Sequence, residues 1–138
     1  MDKKTINTED KFLKKIIGLA KTNPDIRVLW LYGSRANNTA HAKSDYDLAI
    51  AFKNFIKDPL TRRLRPEHLA IEWAQALQCD EHKLSIVDIN LIPATLAWEI
   101  ITHGKALLTI DQDRLIKEES RINSQYEIDV TYHRKHYG

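Results

Sequence analysis

The sequence predicts an α/β fold: a small β-sheet flanked by helices, with a long helix at the C-terminus. Three observations carry that expectation. Short apolar runs rich in strand formers recur at Val28-Leu29-Trp30-Leu31-Tyr32, Leu48-Ala49-Ile50-Ala51-Phe52 and Leu84-Ser85-Ile86-Val87-Asp88-Ile89-Asn90. Apolar residues between and around them fall at helical spacing, as in Phe12, Leu13, Ile16, Ile17 and Ala20. From Asp111 to Gly138 the chain becomes charged, while Leu115, Ile122, Tyr126 and Val130 keep a thin helical stripe.

With 138 residues, 43% of them hydrophobic, the chain fits one compact domain spanning residues 1–138. Its 21 basic and 19 acidic residues leave a net charge of +2, so the surface is mixed and an extended nucleic-acid partner is not indicated. A single cysteine, Cys79, excludes an intramolecular disulfide, fits a reducing compartment and reads as an inert thiol. No signal-type apolar core follows Met1 and no run reaches the length of a membrane span, so a cytosolic protein is expected.

The elements follow in order. Asn7 or Thr8 can cap the first helix, which Asn23-Pro24 ends, and Lys11, Lys14, Lys15 and Lys21 form its solvated face. After the second strand, Asp58-Pro59 reads as a loop, and a helix is expected from near Pro66 to Leu77 with Leu69, Trp73, Ala76 and Leu77 inward. Arg62, Arg63 and Arg65 are the densest basic group, suited to solvent, phosphates or an acidic partner. Pro93 opens a helix through Leu96, Ala97, Ile100 and Ile101 that Gly104 closes; Trp98 falls off this stripe and is expected exposed. Ala106-Leu107-Leu108 reads as a short last strand. On the terminal helix, Tyr126, Tyr132 and Tyr137 either cover the core or dock a partner, and His133 and His136 have metal-compatible spacing without a third ligand.

The chemistry concentrates in residues 33–47, where Gly33-Ser34 is followed, after ten residues, by Asp45-Tyr46-Asp47. Glycine at a strand end permits a sharp turn and close backbone approach to a ligand, and Ser34 with the following amides then offers donors to phosphate oxygens. Arg35, beside Ser34, is within plausible reach of a triphosphate. Side chains two apart on a strand share a face, so Asp45 and Asp47 project together while Tyr46 points away. Carboxylates that close repel unless a cation lies between them, and magnesium suits oxygen ligands and phosphates. A two-metal site calls for a third carboxylate. Asp88, the one acidic residue of the third strand, is the candidate, placed to ligate an ion and to accept the proton of an attacking hydroxyl.

The Gly-Ser, ten residues, Asp-x-Asp pattern followed by a later strand Asp resembles the polymerase-β-type nucleotidyltransferase superfamily, over roughly Asp25 to Leu108. At this length the chain most resembles the minimal nucleotidyltransferase (MNT) branch, the antitoxin partners of HEPN-domain ribonucleases. The resemblance implies a small mixed sheet and transfer of AMP from ATP to a tyrosine hydroxyl of a cognate HEPN toxin, in a type VII-like toxin-antitoxin pair. It also implies two Mg2+ ions, held by Asp45, Asp47 and Asp88, and nucleotide contacts from Gly33, Ser34 and Arg35. Relatives that modify drugs or transfer RNA carry further domains for which this chain has no room, so the acceptor surface is expected from another molecule. Two rival expectations stand beside it: a binding-only antitoxin, and a transferase acting on a small molecule such as an aminoglycoside.

Overall fold

The computed structural model describes residues 7–37, 39 and 44–137. Among them, strands β1 (Ile26–Tyr32), β2 (Tyr46–Phe52), β3 (Leu84–Asp88) and β4 (Lys105–Thr109) pair in the order β3-β2-β1-β4. The β1–β2 and β1–β4 pairs are antiparallel and β2–β3 is parallel, so the sheet is mixed as expected. The parallel pair needs a crossover, and α2 (Pro59–Leu77) supplies it. The other helices are α1 (Asn7–Lys21), α3 (Ala94–His103) and α4 (Gln112–Tyr137).

Both faces of the sheet are covered, which explains why the strands read as continuous apolar runs. On one face Leu29, Leu31, Leu48, Ile50 and Ile86 pack with Ile16 and Ala20 of α1 and Leu69 and Trp73 of α2. On the other, Val28, Trp30, Ala49 and Ala51 pack with Ala97 and Ile100 of α3 and Ile122 of α4. Alternation assigns each residue its side, and size is complementary across the pairing: Trp30 stands in register with Ala49. Burying a side chain that large stabilises the fold by about 2–3 kcal/mol.

Three helical expectations change. Helix α2 begins seven residues earlier than the expected Pro66, at Pro59. Asp58 and Pro59 are not a loop: the Asp58 carboxylate accepts the Thr61 N–H at 2.8 Å as N-cap, and Pro59 opens the helix, where a missing N–H costs nothing. Pro66 lies inside α2, buried. The inward stripe is Leu69, Ala70, Trp73 and Ala74, with half-buried Leu77 packed against the same core as expected, whereas Ala76 is exposed. Trp98 is half-buried, its ring stacked on Tyr126 of α4 with centroids 4.3 Å apart, so a residue off the first stripe closes the α3–α4 seam. Gly104 does end α3, donating its N–H to Ile100 O at 2.9 Å, but in extended backbone at φ −82°. Close approach requires the glycine there: a Cβ would stand 2.8 Å from Leu31 O.

Tyr126 thus covers the core, whereas Tyr132 is exposed, stacked on His136 at 4.0 Å. The Tyr137 side chain lies outside the described residues. No helix among the described residues is long and apolar enough to cross a membrane.

Candidate active site

The site forms where β1 ends and β2 begins. At the end of β1, Gly33 adopts φ +75°, a conformation that side chains with a Cβ rarely take, and the chain enters one 3₁₀ turn, Gly33–Arg35. Space enforces the same choice. A Cβ on Gly33 would overlap Asp47 Oδ2 and lie 3.2 Å from Asp47 Cγ. Backbone and carboxylate are therefore in direct contact, with half-buried Ser34 next in the chain.

Asp47 is the second residue of β2 and Asp45 lies just before that strand, exposed. Strand register aligns Tyr32 of β1 with Asp47 and Asp47 with Ser85 of β3, a row of three side chains on one face of the sheet. Burial, and then the neighbouring Asp45 charge, push the Asp47 carboxyl above the usual carboxylate range. The Tyr32 phenol is pushed up to about 12 by burial and by the Asp47 charge. Both shifts mark surroundings where more negative charge is unfavourable and a cation is favoured. The same charge reaches the turn before β3: His82 is held above its usual pKa, mainly by its hydrogen bond with Asp80 and least by Asp45.

Arg35 does not reach outward to a phosphate. Its side chain is buried, with 7% exposure; Nε and Nη2 donate to Ser44 O at 3.1 and 2.7 Å, and the guanidinium lies 3.9 Å over the Tyr46 ring. Tyr46 in turn packs on Phe12 of α1 at 4.5 Å. Arg35 is thus a strut that fixes the backbone just before Asp45, and the planar fork that suits it to phosphate suits it equally to a carbonyl. His41 and Lys43, in the segment between Arg35 and Asp45 where a lysine could approach a phosphate, lie outside the described residues.

Asp88 is not brought to Asp45 and Asp47. It is the last residue of β3, in register with Ile50, and so shares the α1–α2 side of the sheet with Leu84 and Ile86. Its side chain, 5% exposed, lies 3.6 Å from Arg65 Nη2 of α2, and its Oδ1 accepts the Asn90 N–H at 2.9 Å. Burial raises its pKa; the Asn90 amide, Arg65 and Arg114 work against that rise. Asp88 is a buried carboxylate that already has its cation, on the wrong face and at the wrong end of the strand to hold an ion with Asp47. Strand parity decides this, because a shift of one residue moves a side chain to the other face.

Ser85, to which the strand pattern alone assigns no role, occupies the place next to Asp47 and is exposed. The signal was present in the sequence. A helical crossover makes β2 and β3 parallel, so both strands start at the same end, and a partner for Asp47 near the start of β2 must lie near the start of β3.

The basic group proves structural in two of its members. Arg62 donates to Ile56 O at 2.8 Å and Arg65 to Asn54 O at 2.9 Å, strapping the segment after β2 onto α2. Arg63 is exposed. Among the described residues no group of three or more His, Cys, Asp or Glu gathers as a metal cluster, and the His133–His136 pair acquires no third ligand. Two neighbouring carboxylates, one of them raised by burial and then by the other's charge, fit a divalent cation that completes its shell with phosphate oxygens.

Residues 14–113 match the family model described as Polymerase beta, Nucleotidyltransferase. Over 100 residues the chain is 34% identical to the protein adenylyltransferase MntA of Shewanella oneidensis, a match that spans 72% of this chain and 66% of that protein. It is similar to a chain in a crystal structure of a toxin-antitoxin with AMP-PNP, with a TM-score of 0.70 at 25% identity, covering 88% of this chain and 92% of that one. A chain in the complex of tri-AMPylated Shewanella oneidensis HEPN toxin with MNT antitoxin shares the fold, with a TM-score of 0.62 at 20% identity over 92% and 90% of the two chains.

Proposed function

The chain belongs to the polymerase-β nucleotidyltransferase family, and from that premise we propose that it transfers AMP from ATP to a tyrosine hydroxyl of a HEPN-domain toxin, acting as that toxin's antitoxin. The observation that carries the reading is the contact between Gly33 and Asp47, whose carboxyl is raised by burial and by the neighbouring Asp45 charge. The relative MntA, named a protein adenylyltransferase, and the AMP-PNP-bound toxin-antitoxin structure support the substrate and the partner.

In the reaction the acceptor oxygen forms a bond to the α-phosphorus, the bond from that phosphorus to the bridging oxygen breaks, and pyrophosphate leaves. The hydroxyl proton is released as the ester forms. Asp45 and Asp47 are the residues that would hold Mg2+ together with triphosphate oxygens. Bound there, magnesium supplies charge neutralisation for the phosphates during displacement. The chain's own work is positional: Gly33 lets backbone and Asp47 meet, Ser34 offers its hydroxyl to phosphate, and Arg35 fixes the approach to Asp45. Cytosolic residence fits this assignment.

Incubation with labelled ATP and Mg2+ in the presence of a HEPN protein tests the reading, with aminoglycosides in a parallel reaction. Label on the HEPN chain, lost when its acceptor tyrosine is changed to phenylalanine, is the expected result. Label on the drug overturns the choice of acceptor. No label on any acceptor, while the toxin is still neutralised, replaces transfer by simple occlusion.

A further inference from the structure

We propose that Ser85 fills the third corner of the carboxylate site, so that this chain holds one divalent cation between Asp45 and Asp47 and presents a hydroxyl where a second ion would need a carboxylate. Three independent placements lead there. Asp47 and Ser85 are register partners on a parallel pair, and neighbouring strands lie about 4.8 Å apart. Ser85 points to the side of the sheet that Asp47 occupies, since Leu84 and Ile86 on either side of it pack into the α1–α2 core. It is exposed, at the end of the sheet where Asp45 is exposed too.

The sequence's alternative is removed by the same geometry. Asp88 stands three residues further along β3, on the opposite face, engaged by Arg65 and by the Asn90 N–H. Two carboxylates balance the charge of one divalent cation. A neutral serine hydroxyl adds an oxygen ligand without adding charge, and among the described residues no third carboxylate gathers with Asp45 and Asp47 to hold a second dication. The deprotonation role assigned to a third carboxylate is vacant on β3 as well, because a serine hydroxyl takes no proton near neutral pH. The group that accepts the acceptor's proton is therefore not a β3 side chain.

The inference rests on the transfer reading for the purpose of the ion, but its test does not use transfer. Mn2+ alone is titrated into the full chain and free Mn2+ is read by electron paramagnetic resonance. The expected result is one Mn2+ per chain, abolished by Asp47→Asn and unchanged by Asp88→Asn. Ser85→Asp should bind Mn2+ about tenfold or more tighter, or take up a second ion. Two ions in the unaltered chain, weakening by Asp88→Asn as severe as by Asp47→Asn, or a folded Ser85→Asp with unchanged binding would each overturn it. Should Ser85→Asp not fold, Ser85→Cys decides: Cd2+ binding about tenfold tighter than in the unaltered chain is expected, because thiolate favours a soft ion, and no change overturns the placement. Failure of labelled transfer with one Mn2+ still bound sinks the acceptor assignment and leaves this inference standing. Absence of any Mn2+ binding sinks both.

Discussion

Asp47 and Asp88 stand on neighbouring parallel strands, the first half-buried and the second buried, and they keep opposite company. Asp47 has a second carboxylate, Asp45, beside it, and a turn that admits no Cβ pressed against its oxygens. Asp88 has Arg65 and a backbone N–H. Burial raises the pKa of both, but Asp45 raises Asp47 further, while cations and an amide pull Asp88 back. An acidic residue on a strand therefore does not identify a cation site; the sign of its neighbours does. The α1–α2 face uses its carboxylate to tie the end of β3 to α2, and the opposite face leaves its carboxylates in want of a cation.

Substitutions on the two sides should diverge accordingly. The largest effect belongs to Asp47→Asn, which should lower labelled AMP transfer by about a thousandfold or more, the loss of several kcal/mol of charge stabilisation. Without metal the same variant should be the more stable one at neutral pH. The folded state holds the Asp47 proton to higher pH than the unfolded chain, so that group's stabilising contribution is complete in acid and is lost as pH rises through the folded value. A thermal melt at pH 7 should rise by about 2 °C, and the gain should vanish below the ordinary carboxylate range.

Gly33→Ala comes next. The new Cβ must displace Asp47 at a positive φ, so melting should report a loss of about 2–3 kcal/mol and transfer should fall by about a hundredfold. On the other face, Asp88→Ala should cost about 2 kcal/mol in denaturant unfolding, because Asn90 N–H loses its acceptor and Arg65 its anion. Its transfer rate per folded molecule should stay within about threefold of the unaltered chain, since nothing in the site touches it; a collapse of rate at intact fold would return Asp88 to the chemistry. Smallest is Arg35→Lys, which keeps the charge but loses the fork on Ser44 O and the stack on Tyr46. A loss of about 1 kcal/mol and about a tenfold drop in transfer, with the charge itself preserved, would identify a strut rather than a phosphate ligand.

The residue patterns were sufficient for the order of most elements and for the approach of the Gly33 turn to Asp47. Alternation within Tyr46–Phe52, helical stripes and the glycine at a strand end are local properties, and they placed Gly33, Ser34, Asp45 and Asp47 together because the segment joining them is short. The start of helix α2 is not legible locally, because Asp-Pro serves equally as a turn and as a cap followed by a first helical residue. The burial of Trp98 is not legible locally either, because the helix that covers it, α4, arrives from later in the chain.

What the sequence by itself determined was every contact whose partners lie within one strand-turn-strand unit, where bond geometry leaves few choices. Only the tertiary structure decided which residue of β3 meets Asp47 and where the Arg35 guanidinium goes. Both depend on how distant segments pair: a one-residue difference in strand parity exchanges Asp88 for Ser85, and the sequence of β3 carries a polar residue at each parity. Pairing register is fixed by packing on both faces of the sheet at once, a condition that no single stretch of the chain contains.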